Sequence, residues 1–173
     1  MEEVTFQSFL YNINGSALIR LPKNISELLP TRGMVMANVQ IRDHHFTVPL
    51  EPDGAFSHWF FVPNALLSTL DPTSEIELSM SLCTDWPEPE MPLDMQEAIL
   101  SEHLEAEWEK VTVKAKWEWI RWVRSTENPQ TRSKRVLVMC SKLSQGKRRP
   151  CCFDTSRCTL TEVSKSGKLL DKE

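Results

Sequence analysis

The sequence predicts an α+β protein: a small β-barrel over residues 1–83 followed by a helical C-terminal extension of about three helices. Three observations carry this. The stretch EIELSMSL (75–82) alternates apolar and polar side chains with the period of two of a half-buried strand. The stretch TDWPEPEMP (84–92) holds three prolines and three acids and can continue neither a sheet nor a helix interior, so it reads as a linker. Beyond it the apolar spacing becomes helical over 93–158, ahead of a polar tail over 159–173.

The elements follow in order. TFQSFLY (5–11) and ALIRLP (17–22) flank Asn12-Ile13-Asn14-Gly15, and Asn-Gly supplies the positive φ values of a tight hairpin turn. Asn24 or Ser26 can cap a short helix over ISELLP, ended by Pro30. MVMANVQI (34–41) and HFTVPL (45–50) form a second hairpin through Arg42-Asp43-His44, and AFSHWFFV (55–62) is a strand closed by Pro63. ALLSTL (65–70) is a short helix begun at Pro63 or Asn64 and stopped by Asp71-Pro72. Short strands interrupted by two short helices fit a barrel better than a parallel sheet. The helices are expected over LDMQEAILSEHLEAEWEKV (93–111), KAKWEWIRWVR (114–124) and TRSKRVLVMCSKLSQGK (131–147), with Asn128-Pro129 as a cap and Gly146 as a stop.

A hydrophobic fraction of 40% over 173 residues is enough for a core. There is no run of about 18 apolar residues, and the start MEEVTFQSFL is acidic; both predict a cytoplasmic chain without membrane insertion. Five cysteines, Cys83, Cys140, Cys151, Cys152 and Cys158, fit reduced thiols rather than a disulfide framework. The net charge of -4 conceals an asymmetry. Residues 1–110 carry 5 Lys/Arg against 18 Asp/Glu, a net -13, whereas residues 111–158 carry 12 against 3, a net +9. Such a split predicts a basic face for a partner, or a basic element docked on the chain's own acids.

Trp117-Glu118-Trp119-Ile120, Thr131-Arg132 with Lys134-Arg135, and Gly146-Lys147-Arg148-Arg149-Pro150 together resemble the bacterial YdeI/OmpD-associated family, also labelled bacteriocin protection, over residues 88–154. Leu21-Pro22, the block FTVPLEPDGAFSHWFFV (46–62) and the helix after it resemble the barrel domain of unknown function often joined to that family. That domain is similar to AbrB-like double-split barrels, so the resemblance implies paired split hairpins capped by helices. It brings no catalytic residues. Asp43-His44 departs from the pattern, because a barrel hairpin more comfortably holds a glycine there.

The stretch GKRRPCCFD (146–154) holds the sharpest chemistry. Adjacent cysteines have Cα atoms about 3.8 Å apart, below the span of about 4.4–6.8 Å of an ordinary disulfide, so a Cys151–Cys152 bridge would be strained and easily reduced. Lys147, Arg148, Arg149 and Arg157 favour thiolate, which fits a redox or electrophile-responsive thiol at Cys151 or Cys152 with Cys140 or Cys158 as its resolving partner. In the plainer reading Cys151, Cys152 and Phe153 anchor the chain by packing. Zinc spacing is absent, His44, His45, His58 and His103 form no HExxH, and His58 reads as a satisfied, partly buried histidine; no metal or cofactor is expected. An enzyme lacks parts: there is no GxSxG, P-loop or GxGxxG.

The leading expectation is a non-enzymatic cytoplasmic binding or stress-accessory protein. Its basic helical face, centred on Arg132, Arg135, Lys147, Arg148 and Arg149, would engage an anionic small molecule, polyanion or protein partner, with arginine forks suited to phosphate or carboxylate. The thiol protein is the alternative. AbrB-like nucleic-acid binding is the third reading, opposed by the barrel's acid surplus.

Overall fold

Seven strands build the first unit: β1 (Val4–Ser8), β2 (Leu10–Ile13), β3 (Ser16–Arg20), β4 (Val35–Ile41), β5 (His44–Pro52), β6 (His58–Phe61) and β7 (Ile76–Leu82), with short helices α1 (Lys23–Ser26) and α2 (Asn64–Leu67). The sheet order is β1-β7-β4-β5-β6-β3-β2, antiparallel throughout. Its two edges, β1 and β2, are separated in the chain by Phe9 alone. A flat sheet cannot satisfy that connection, so the strands curl until the edges approach, giving a half-barrel. The protein is therefore α+β, a curled antiparallel sheet followed by helices.

The structure, a computed structural model, describes residues 2–150, 160–164 and 166–171. They divide into two units, Met1–Asp85 with Glu162–Glu173, and Trp86–Thr161.

Alternation within the strands decides what the half-barrel encloses. Ile76, Leu78 and Met80 of β7 are buried while Glu77 is exposed, as the period of two requires. Phe60, Ile41 and Leu50 join them, and Ile25, Leu29, Leu66 and Leu70 close the core from α1, α2 and the turns after them. Each such buried side chain contributes about 1.5–3 kcal/mol. The Asn14-Gly15 turn has φ of 50° and 77°, matching the Asn-Gly expectation. The second hairpin turns at Arg42, which takes φ 53° where glycine would be comfortable.

Three local expectations shift. The first strand splits at Phe9, so β2 pairs with β3 while β1 crosses to β7. The helix expected over ISELLP starts earlier, at Lys23 behind Pro22. Residues 53–57 leave the strand expected over 55–62, because Asp53 Oδ1 accepts from the Ala55 and Ser57 N–H groups, both at 2.7 Å, and bends the chain. Residues 162–164 and 166–171, read as part of a polar tail, are bound to this sheet unit. Glu162 is buried and accepts from Ser16 Oγ at 2.7 Å, the Leu169 N–H donates to the Asp53 carbonyl at 2.9 Å, and Arg20 donates to the Leu170 carbonyl. Ser16, Leu18 and Arg20 share one face of β3 by alternation, opposite Ile19 and the core.

The second unit contains α3 (Leu93–Ser101), α4 (Glu105–Glu109), α5 (Val113–Arg124) and α6 (Pro129–Ser144). The helix expected over 93–111 breaks at His103, which takes φ 55°. The His103 N–H donates to Leu100 O and the Leu104 N–H to Ile99 O, a Schellman ending with histidine in the position glycine usually fills. Asn128 Oδ1 caps α6 by accepting from Gln130 and Thr131 N–H, with Pro129 in the first turn, and Gly146 ends it at φ 74°. Both were readable from the sequence. Trp119, Ile120, Met95, Met139 and Leu143 form the helical core.

Candidate functional site

The proline-rich stretch at the start of the helical unit is tied to α5. Trp117 Nε1 donates to the Pro87 carbonyl at 2.8 Å, Lys114 Nζ stands 5.3 Å from the Trp86 ring centroid, and both Glu88 oxygens accept from Lys116 Nζ at 3.2 Å. Lys116 is buried, so Glu88 supplies the countercharge that a desolvated ammonium requires.

The five basic residues named from the sequence fall into two groups. Arg132 faces Asp94 with a bidentate fork, Nε to Oδ2 at 2.7 Å and Nη2 to Oδ1 at 2.8 Å. The hydrogen bonds from Arg132 hold the Asp94 carboxyl below the usual range, and the Arg132 guanidinium is raised in turn. Arg135 Nη1 donates to the Trp122 carbonyl at 2.6 Å and to Ser125 Oγ at 2.7 Å, and its guanidinium lies 5.4 Å from the Trp122 ring centroid. These two arginines join α6 to α3 and to the end of α5.

Lys147, Arg148 and Arg149 are exposed instead. Their backbone is held at both ends: the Lys147 N–H donates to the Lys142 carbonyl at 2.9 Å, completing the cap around Gly146, and the Arg148 carbonyl accepts from buried Trp119 Nε1 at 3.2 Å. Arg149 Nε meets Glu118 only at 4.0 Å. The structure therefore presents three consecutive cationic side chains on a pinned turn. Over Trp86–Thr161 the chain carries 13 Lys/Arg and 11 Asp/Glu, so most of the basic surplus read along the chain is offset within this unit, and the turn is where it is concentrated.

Cys151, Cys152 and Cys158 lie outside the described residues. Cys140 is buried on α6, and burial pushes its thiol up, away from thiolate. His58 is fully buried on β6: its Nδ1 lies 2.7 Å from Ser26 Oγ and its Nε2 3.1 Å from the Gly33 carbonyl. A carbonyl only accepts, so Nε2 carries the proton and the Ser26 hydroxyl donates to Nδ1. Among the described residues no three His, Cys, Asp or Glu side chains gather as a metal site, and no helix is long and apolar enough to cross a membrane.

Residues 88–146 match the family model Bacteriocin-protection, YdeI or OmpD-Associated. The matched segment begins at Glu88, the countercharge of Lys116, and ends at Gly146, the stop of α6. It covers the four helices and none of the sheet. No curated protein matches the chain.

The sequence reading missed the partners rather than the players. Asp94 sits in the first turn of α3, where an acid is favoured by the helix dipole, and that position was its only local signal. Nothing local marks Trp119 as the residue that pins Arg148.

Proposed function

We propose that the protein binds an anionic partner through the turn Lys147-Arg148-Arg149, which directly follows the segment matching the YdeI/OmpD-associated family model. The observation that carries this reading is the exposed cationic triplet on a backbone held by Gly146, Lys142 and Trp119. A fixed backbone lowers the ordering cost of binding, and adjacent guanidinium groups suit phosphate or carboxylate oxygens. Arg132 and Arg135 build the platform in this reading, since both forks are engaged within the unit.

The test uses heparin fragments as the polyanion probe, titrated into the full chain at several salt concentrations. Affinity should fall with rising salt, with a slope of roughly three released counterions, and the triple variant Lys147→Gln, Arg148→Gln, Arg149→Gln should lose it. Binding with no salt dependence, or binding that survives the triple variant, removes the reading.

A further inference from the structure

We propose that the cavity under the loop joining β5 to β6 is a binding site for a small carboxylate with an apolar body, held by Arg32 and covered by Phe56. The cavity, half open to solvent, has a volume of about 230 Å³ and is lined, mainly through apolar atoms, by Arg32, Pro52, Gly54, Phe56 and Ser57. It is open on one side, and its volume leaves room for one ring whose carboxylate stays at the mouth.

Phe56 is the first reason to read the cavity as a site. It takes φ 70°, the left-handed region, where a bulky side chain is an outlier, and the residue is 73% exposed. Both features are unfavourable, and glycine or asparagine would avoid both. Strain of this kind persists only where the surroundings over-determine it. Here Asp53 Oδ1 accepts from the N–H groups on either side, Arg32 Nη1 donates to the Phe56 carbonyl at 3.3 Å, and the Asp53 carbonyl is bound by the Leu169 N–H. Gly54 is packed so closely on the Gly167 carbonyl that a Cβ would lie 2.1 Å from it. The loop is a clamped platform that displays an aromatic ring.

Charge is the second reason. Among the described residues no acid lies within ion-pairing distance of Arg32, whose Nη1 is committed to the Phe56 carbonyl and, at 3.5 Å, to the Ser26 carbonyl. That anchors the guanidinium at the cavity while its other donors stay available to a bidentate acceptor. Lys23 Nζ stands 6.0 Å from the Phe56 ring centroid, adding a second cation beside the ring. The nearby carboxylate, Asp53, is held by the loop's own N–H groups. Two cations beside an apolar cavity and an aromatic ring select against metal cations and for an organic anion.

Benzoate is the probe, with benzamide as its neutral isostere, titrated to millimolar concentration into the full chain and followed by backbone amide shifts. Benzoate should move the amides of residues 54–57 and of Arg32, and benzamide should bind at least about tenfold more weakly. Arg32→Gln should abolish that preference. Phe56→Gly should raise the melting temperature, because the left-handed strain is relieved, while weakening benzoate. Equal binding of the two probes, benzoate shifts confined to other residues, or no shift at all overturns the proposal. A Phe56→Gly variant that melts higher yet binds benzoate undiminished overturns the role given to the ring.

Discussion

His58 shows how one buried side chain sets a pH dependence. Burial lowers its proton affinity below the ordinary value of 6.5, against smaller opposing effects from the Gly33 carbonyl and Asp53. The unfolded chain accepts that proton near pH 6.5, and the fold resists it. His58 therefore leaves stability undiminished above pH 6.5, and stability falls as pH drops from there toward the lower folded value. The slope approaches about 1.4 kcal/mol per pH unit for one proton. Urea unfolding between about pH 7.5 and about pH 5 should show this slope in the native chain and lose it in His58→Gln, while Ser26→Ala should destabilise by about 1–3 kcal/mol at every pH by leaving Nδ1 without its donor. Equal slopes in the native chain and His58→Gln would assign the acid sensitivity elsewhere. A satisfied, partly buried histidine was readable from the place of His58 beside Trp59 in an apolar strand, and the structure buries it completely. Its partner was not, since Ser26 is 32 residues away and lies in α1.

At the scale of elements, what the sequence disclosed and what it hid divide along local and non-local physics. The alternation of β7, the Asn128-Pro129 start and the Gly146 stop of α6 are local, and each appears where the residues place it. The break between α3 and α4 had no local mark, because histidine at 103 does the work of a glycine. The bend at 53–57 was hidden for another reason: a single carboxylate that takes two N–H groups outweighs an apolar run that reads as a strand. Likewise, the residue types at Arg132 and Arg135 marked them as candidates, but the acid that engages Arg132 lies 38 residues earlier. The break gives a direct test. Histidine in the left-handed region costs about 1–2 kcal/mol that glycine does not, offset in part by the greater freedom of an unfolded glycine, so His103→Gly should raise stability by about 0.5–1 kcal/mol. Denaturant midpoints measure this, and a lower midpoint would mean that the imidazole makes a contact worth more than the strain. Proline at the same position, with its φ held near -65°, should unfold the junction.

On the scale of the whole chain, the helical unit is an insertion between two parts of the sheet unit, which the chain leaves at Asp85 and rejoins at Glu162. The returning segment is short and polar, and composition alone gives it no reason to bind. Its attachment is a set of hydrogen bonds: Ser16 to Glu162, the Leu169 N–H to Asp53, Arg20 to Leu170, and a bridge between Val163 and Leu169 that holds the segment to itself. The three that reach the sheet are worth about 1 kcal/mol each, and buried Glu162 would be a penalty without its hydroxyl partner. Leu18 and Trp59 are fully buried, and Leu18 lies on the same face of β3 as Ser16 and Arg20, the two side chains that bind the segment. Ending the chain after Thr161 should therefore destabilise the sheet unit by about 3 kcal/mol, with more if Leu18 becomes exposed. Amide exchange resolved along the chain distinguishes the units: β3 and the turn at Asp53 should lose protection, whereas α5 and α6, each capped and packed within Trp86–Thr161, should keep theirs. Unchanged protection in β3 would make the returning segment an ornament on a sheet that is complete without it. Lost protection in α5 as well would mean that the inserted unit depends on the closure of the chain around it.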